Sequence, residues 1–421
     1  MEEGQRMKGM PYLQRKLATK RARILLRYMY YDMKFTAQDF GIATPPELRG
    51  LRNCLGWCGK AVDSIANRLN FKRFTNDRFN ISEIYNQSNP DVMIDKIILS
   101  ALIASCGFIY IQDRGIGNMP VLQAIDGGDA TGIIDPVTGM LLEGYAVLER
   151  DQNKQPTLEA YFTDDCTEFY KAGKLVDERE HTGPYALLVP VVFRPSVTRE
   201  FGHSRISRSM MDTVNSAIRT LKRSEIAAEF YSYPQKWVVG TSADAEPLDK
   251  WKASMSSMLE ITKDEDGDSP KFGQFTAASQ SPHLDQLRMF AAIFAGEADL
   301  TMDDLGFNTV NPSASESIKA AHEGLRLTAR KAQKTFTSGF LNAGFLAVCL
   351  RDNVAYKRSG FIGTGAEWLP IFEPDASALS QIGDGAIKIN QAIPNFFNGD
   401  TLETLTGIKG GLVGETGDTN G

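Results

Sequence analysis

Asp126, Asp129 and Asp135 crowd one stretch of the chain, and closely spaced carboxylates are what general acid–base catalysis needs. No nucleophile, histidine or cofactor cradle accompanies them, so a soluble α+β enzyme using these acids is the weaker of the readings below. The four histidines, His181, His203, His283 and His322, are far apart, and His322-Glu323 lacks the second histidine of a zinc-protease helix. Cys54 and Cys58 would share one helical face, yet no second pair completes a tetrahedral zinc set; core packing is the better reading. Asp264, Asp266 and Asp268 alternate like the start of a calcium loop, but Gly267 falls between the acids and the closing position is Phe275, not glutamate. Gly202-His203-Ser204 lacks the second glycine of a nucleophile elbow, and Gly115-Ile116-Gly117 reads as a hairpin turn rather than a dinucleotide fingerprint. No phosphate loop ending in Gly-Lys-Ser/Thr occurs. The expectation is no catalytic, cofactor or metal residues, and no enzyme.

The 421 residues, 42% of them hydrophobic, are enough for a substantial core and two or three domains. With 46 basic against 52 acidic residues the formal charge is −6, which excludes a phosphate-neutralising polycation. Five scattered cysteines (Cys54, Cys58, Cys106, Cys166, Cys349) suggest a reducing compartment, and residues 1–30 lack the apolar core of a secretory signal. The most apolar run, Ile97 to Ile111, falls short of the roughly 20 residues that span a bilayer. Its Cys106-Gly107 step predicts a buried helix turning into a buried strand, and no membrane is expected.

A helix is predicted from Tyr12 to Tyr31, carrying Arg15, Lys16, Lys20, Arg21, Arg23 and Arg27; a solvated or subunit-contacting helix outweighs phosphate contact. Leu48, Leu51, Leu55, Val62, Ile65 and Leu69 predict one face of a long helix. Phe108 to Gln112, Gly144 to Leu148 and Leu187 to Phe193 read as antiparallel strands between tight turns, the last demoted to an edge by Pro190. Ser204 is a candidate N-cap for a helix with Ile206, Met210, Val214, Ala217 and Leu221 on its apolar stripe, stopping at Tyr233-Pro234. Residues 235–281 read as a small insert with a strand at Trp237 to Val239. Ser281 as N-cap and Pro282 at the first helical position then open a second helix, with Leu284, Leu287, Ala291, Phe294 and Ala298 on its apolar side, ending near Leu305-Gly306. Ser313 and Glu316 have capping-box spacing ahead of Ile318, Ala321, Leu325, Ala329, Ala332, Phe336, Phe340, Ala343, Ala347 and Leu350, a stripe long enough for a rod of nearly 50 Å. A strand at Trp368 to Phe372, a helix from Ala376 to Ala392 and a mobile glycine- and threonine-rich tail from Gly407 follow.

In that order the chain resembles the portal proteins, or head-to-tail connectors, of tailed double-stranded DNA bacteriophages. The motifs carrying the resemblance are Tyr28-Met29-Tyr30-Tyr31, the helix begun at Leu48-Arg49, and Phe201-Gly202-His203-Ser204 at the entry to the first long helix. To these add Asn311-Pro312-Ser313-Ala314-Ser315-Glu316-Ser317-Ile318 and Trp368-Leu369-Pro370. The resemblance covers roughly residues 28–395. It implies an α+β subunit with a mixed α/β wing, a two-helix stem, a small α/β clip, a tunnel loop and one very long helix. Residues 1–203 would hold the N-terminal segment and the first part of the wing, 315–395 the long helix and the second part of the wing, 204–232 and 282–305 the stem, 233–281 the clip and 306–314 the tunnel loop, with 396–421 a short or vestigial crown or mobile tail. About a dozen copies would form a ring at one capsid vertex. The implied role is a conduit for DNA packaging and ejection in the virion, assembled in the host cytoplasm. Expected partners are the subunit itself, double-stranded DNA, the packaging ATPase (terminase), a head-tail adaptor and the major capsid protein. Phe307, Asn308, Thr309, Val310 and Asn311 would touch DNA without trapping it. Lys319, Arg326, Arg330, Lys331 and Lys334 would face DNA or a neighbouring subunit. Trp251, Asp264, Glu265, Asp266 and Asp268 would dock a partner at the clip. A different phage head component is the alternative.

Overall fold

The computed structural model describes residues 8–37, 48, 50–115, 117–232, 236–239, 271–274, 279–307, 320–372, 374 and 376–408. At its centre a buried helix becomes a buried strand. Helix α4 (Pro90–Ala104) starts with proline where the absent N–H costs nothing, and ends at Ser105, whose φ of 84° turns the chain into a strand. That strand, Cys106–Gln112, is buried along nearly its whole length. It is flanked in a three-stranded antiparallel sheet by Val121–Ile125 and Leu188–Val192, and Pro190 falls on an edge strand as its missing donor requires.

A second sheet is an antiparallel meander of five strands, Ala130–Ile134, Leu141–Arg150, Pro156–Phe162, Cys166–Lys171 and Lys174–Glu180. Numbering all strands in chain order, Phe71–Thr75 is β1, the buried strand β2, its neighbours β3 and β9, and the meander β4 to β8. The β7–β8 turn has positive φ at both Ala172 (49°) and Gly173 (76°), the twist that matches a tight hairpin. Helix α1 (Met10–Tyr31) lies on this sheet, with Leu13 and Leu17 packed on Tyr145, Val147 and Tyr161. Two further helices, α2 (Trp57–Ala66) and α3 (Ile81–Asn86), precede α4.

The remaining helices build an excursion and return. Helix α5 (Arg208–Ser232) runs out, β10 (Lys236–Val239) and β11 (Lys271–Gln274) pair antiparallel, and α6 (Ser281–Glu297) runs back. The helices are antiparallel neighbours: Thr220 bonds Gln286 at 3.1 Å and Ser224 bonds Gln280 at 3.5 Å. Helix α7 (Glu323–Asp352) is 30 residues long, about 45 Å. Its predicted stripe is buried from Leu325 to Leu350. Gly339 lets its backbone approach Pro190 and Val191, where a Cβ would sit 3.0–3.2 Å from them. Strand β12 (Gly365–Trp368) pairs with β1, and α8 (Ala376–Ala392) and α9 (Gly399–Thr406) close the described chain.

Several expectations need correction. The helix expected from Leu48 to Leu69 is confined to α2, because Gly56 stands at its start and Leu51 is 38% exposed; Cys54 is exposed while Cys58 is buried, so they share no face. Ser204 does not cap α5. Its hydroxyl donates to the carbonyl of Ile103 at 2.7 Å, and Ser207 instead accepts from the Met210 N–H at the helix start. Ser281 is the first residue of α6 rather than its cap, and Leu284 is 53% exposed. Helix α6 stops at Glu297, before the left-handed Asp299 (φ 50°) and a short 3-10 turn at Asp303–Leu305. The long helix begins at Glu323, since His322 has non-helical angles; Ser313 and Glu316 lie outside the described residues. The closing strand ends at Trp368, just ahead of Pro370. Helix α9, capped by the Asn398 side chain on Thr401, had no forecast in the pattern.

Candidate functional site

The excursion of α5 and α6 leaves the body of the protein at one buried cation. Arg205 is nearly inaccessible, its side chain 1% exposed, and it sits in the loop just before α5. Its guanidinium donates to the Ala61 carbonyl of α2 at 3.3 Å, to the Ala298 carbonyl at the end of α6, and to Asp299 at 3.1 Å. Asp299 also accepts from Thr328 of α7 at 3.1 Å. The Arg205 N–H and the Ser204 hydroxyl meanwhile satisfy the Leu102 and Ile103 carbonyls, left without partners at the end of α4. Burial pushes the Arg205 pKa down and Asp299 opposes it; arginine's basicity keeps the group charged. Through its side chain, its backbone N–H and its partner Asp299, Arg205 joins α2, α4, α6 and α7 at the base of α5.

A second clamp closes the gap between α6 and α7. Asp304 accepts from the Thr301 N–H and hydroxyl, both at 2.9 Å, and lies 3.0 Å from His322 Nε2. Burial raises the Asp304 carboxyl, but the Thr301 and His322 contacts outweigh it and hold the group below its ordinary pKa. The Asp304–His322 contact ties the turn after α6 to the residue just before α7. Trp57 packs on Phe294 and Phe307 with ring centroids 5.5 and 6.4 Å away, which seats Phe307 on the core.

Of the residues singled out for a channel, Phe307 is described and is half-buried against Trp57. Asn308, Thr309, Val310, Asn311 and Lys319 lie outside the described residues, as do Trp251, Asp264, Glu265, Asp266 and Asp268. Arg326 pairs with Glu323 at 2.6 Å, one turn before it on α7. Arg330, Lys331 and Lys334 are exposed beside it.

The basic run of α1 does something the charge pattern did not foresee. Lys16 donates to the Gly132 carbonyl at 2.7 Å, Arg21 pairs with Asp129 at 2.9 Å, and Lys20 lies 3.0 Å from the Cys106 sulfur and over the Phe201 ring. Lys16 and Arg21 hold the helix at the β4 edge of its sheet and Lys20 ties it to β2, while Arg15 and Arg23 remain exposed. Nor do the three aspartates form a catalytic set. Asp126 takes bonds from Tyr28 and Ser100, Asp129 is shared by Arg21 and Arg150, and Asp135 caps its own turn through Val137 and Thr138. Among the described residues, Cys166, Glu168 and Glu178 bring possible metal-ligating atoms within 4.8 Å of one another, but burial and the nearby carboxylates raise the Cys166 pKa, which works against a thiolate ligand. An open groove of about 520 Å³ runs between Pro136, Pro190 and Val197 and the Thr335–Asn342 side of α7.

No protein-family model matches the chain. Curated proteins do. The portal protein of Mycobacterium phage L5 is 24% identical over 316 residues, covering 70% of this chain and 65% of that protein. The resemblance is to phage portal proteins. The portal protein of Mycobacterium phage D29 matches at 24% over 317 residues with the same coverage, so the aligned part spans 65% of the curated relatives' length. Among solved structures, a chain from the virion of a native gene transfer agent particle is 12% identical, with a TM-score of 0.46 over 84% of this chain and 89% of that one. A chain from the neck of an empty gene transfer agent particle has a TM-score of 0.49, again at 12% identity, over 84% and 90% of the two chains. The portal resemblance read from ordered motifs therefore stands on sequence similarity, and the fold is α+β as expected. Sequence reasoning singled out neither Arg205 nor Asp304 for the site: Arg205 reads as one more polar residue off the apolar stripe of the following helix, and Asp304 stands in no motif.

Proposed function

We propose that this chain is the subunit of a ring at the portal vertex of a phage capsid, a conduit for double-stranded DNA with no catalysis of its own. The observation that supports it most is the α5–β10–β11–α6 excursion, clamped at its base by Arg205 and followed by the contact of Asp304 with His322. This is the order of stem, clip, stem and tunnel loop that the portal resemblance implies. In this reading residues 204–232 and 282–305 are the stem, 233–281 the clip, 306–314 the tunnel loop, and 1–203 with 315–395 the wing; 396–421 would be a short crown or tail. A separate ATPase supplies the energy of packaging, and the clip meets that motor or an adaptor. An acidic subunit suits the task, because each neutralised phosphate adds affinity that a sliding duplex must break. Uncharged Asn308, Thr309, Val310 and Asn311 at the tunnel loop fit the same requirement.

Native mass spectrometry and negative-stain microscopy of the full chain test this. Closed rings with a hole wide enough for duplex DNA are expected; a stable monomer or dimer at every accessible concentration would sink the proposal.

A further inference from the structure

Helix α1 covers only part of one face of the five-stranded sheet. The register assigns that face: Tyr145 lies opposite Tyr161, Tyr161 opposite Glu168, Glu168 opposite Glu178, Cys166 opposite Glu180, and Tyr170 opposite Leu175. Leu13 and Leu17 sit over Tyr145, Val147 and Tyr161. Beyond them the same face continues across β7 and β8 as Glu168, Leu175, Glu178 and Glu180, and every residue of β8 is exposed. Glu168 and Glu178 are directly opposed like charges, an arrangement that costs stability unless cations arrive from elsewhere. The nearby cation of β8, Arg179, is committed to the other face, paired with Asp177 at 2.8 Å and stacked on Phe169. The negative field reaches the tyrosine beside it: the bond to Glu168, then burial and the carboxylates push the Tyr170 hydroxyl up to about 12.

The complementary surface lies on α7. Leu327 is 53% exposed, and Arg330, Lys331 and Lys334 follow it on the same side of the helix at steps of three and four. Arg326 differs, being neutralised by Glu323. One leucine with three cations thus matches one leucine with three carboxylates. Within one chain α7 packs on β2 and β9 of the other sheet, and among the described residues no ion pair joins its flank to β7 or β8. The two surfaces are different and no ion pair joins them within one copy among the described residues, as a heterologous contact between copies requires.

We propose that the β7–β8 face of one copy docks the basic flank of α7 of a second copy, with Glu168, Glu178 and Glu180 against Arg330, Lys331 and Lys334 and Leu175 against Leu327. This rests on the ring reading above and assigns the flank to the subunit contact rather than to DNA. The flank spans about 10 Å, so the contact is one part of a larger interface.

The test uses the full chain, with ring formation followed by native mass spectrometry and sedimentation, and folding checked by circular dichroism. Lys331→Glu/Lys334→Glu and Glu178→Lys/Glu180→Lys should each raise the concentration needed for ring assembly by about tenfold or more, and combining all four changes should restore it. Reversed variants that both assemble like the wild type, or a combined variant that does not recover, would overturn the contact alone. Intact rings of the Lys331→Glu/Lys334→Glu variant that no longer retain duplex DNA would place the flank in the channel and overturn it as well. A wild type that forms no ring overturns the ring reading and this contact with it.

Discussion

Truncating Arg205 to alanine would leave Asp299 half-buried without its cation and remove donors from the Ala61 and Ala298 carbonyls. Breaking one side of a buried ion pair costs about 3–5 kcal/mol, so Arg205→Ala should lower stability to unfolding by denaturant by that much. A loss below about 1 kcal/mol would show that the junction is held by apolar packing instead. Asp304 makes a pH prediction. Its folded pKa is depressed, so its contribution is present above the unfolded value near 3.9 and is lost as pH falls through the folded one. The stability gap between wild type and Asp304→Asn should therefore be largest near neutrality and shrink below about pH 4. A gap of the same size at both ends of that range would count against the Thr301–Asp304–His322 clamp.

Among the elements, α7 was the most legible and its packing is the most exacting. A Cβ on Gly344 would lie 2.5 Å from the Ile81 side chain of α3, so Gly344→Ala should destabilise by about 1–3 kcal/mol through overpacking. Gly383 on α8 meets nothing within 4 Å, and there alanine should stabilise by about 0.5–1 kcal/mol by relieving the entropy cost of glycine in a helix. Thermal unfolding midpoints of the two variants should move in opposite directions. The stripes of α5 and α7 could be read because a helix packed on one side must repeat its apolar residues at its own period. Boundaries could not. The helix boundaries at Gly56, Asp299 and His322 fall where tertiary partners or local backbone angles decide, and the apolar spacing runs on across those points.

For the whole molecule, assembly through charged flanks predicts that rings loosen as salt rises, because exposed ion pairs are screened over about 8–10 Å at physiological ionic strength. Sedimentation across a salt series checks this: rings indifferent to salt would point to an apolar interface. The sequence by itself determined the α+β class, the buried α4-to-β2 turn at Cys106, the edge position of Pro190, and the helix–insert–helix order that carries the portal resemblance. Each of these follows from local chemistry: side-chain period, a missing N–H, a residue that caps or breaks. Tertiary structure alone decided what the charges do. The basic run of α1 turned out to hold its own sheet through Gly132 and Asp129, three aspartates that could have been catalytic were absorbed by Tyr28, Arg150 and Thr138, and Arg205 became the joint of four helices. A charge acts through whatever lies within a few ångströms of it, and those neighbours come from distant parts of the chain.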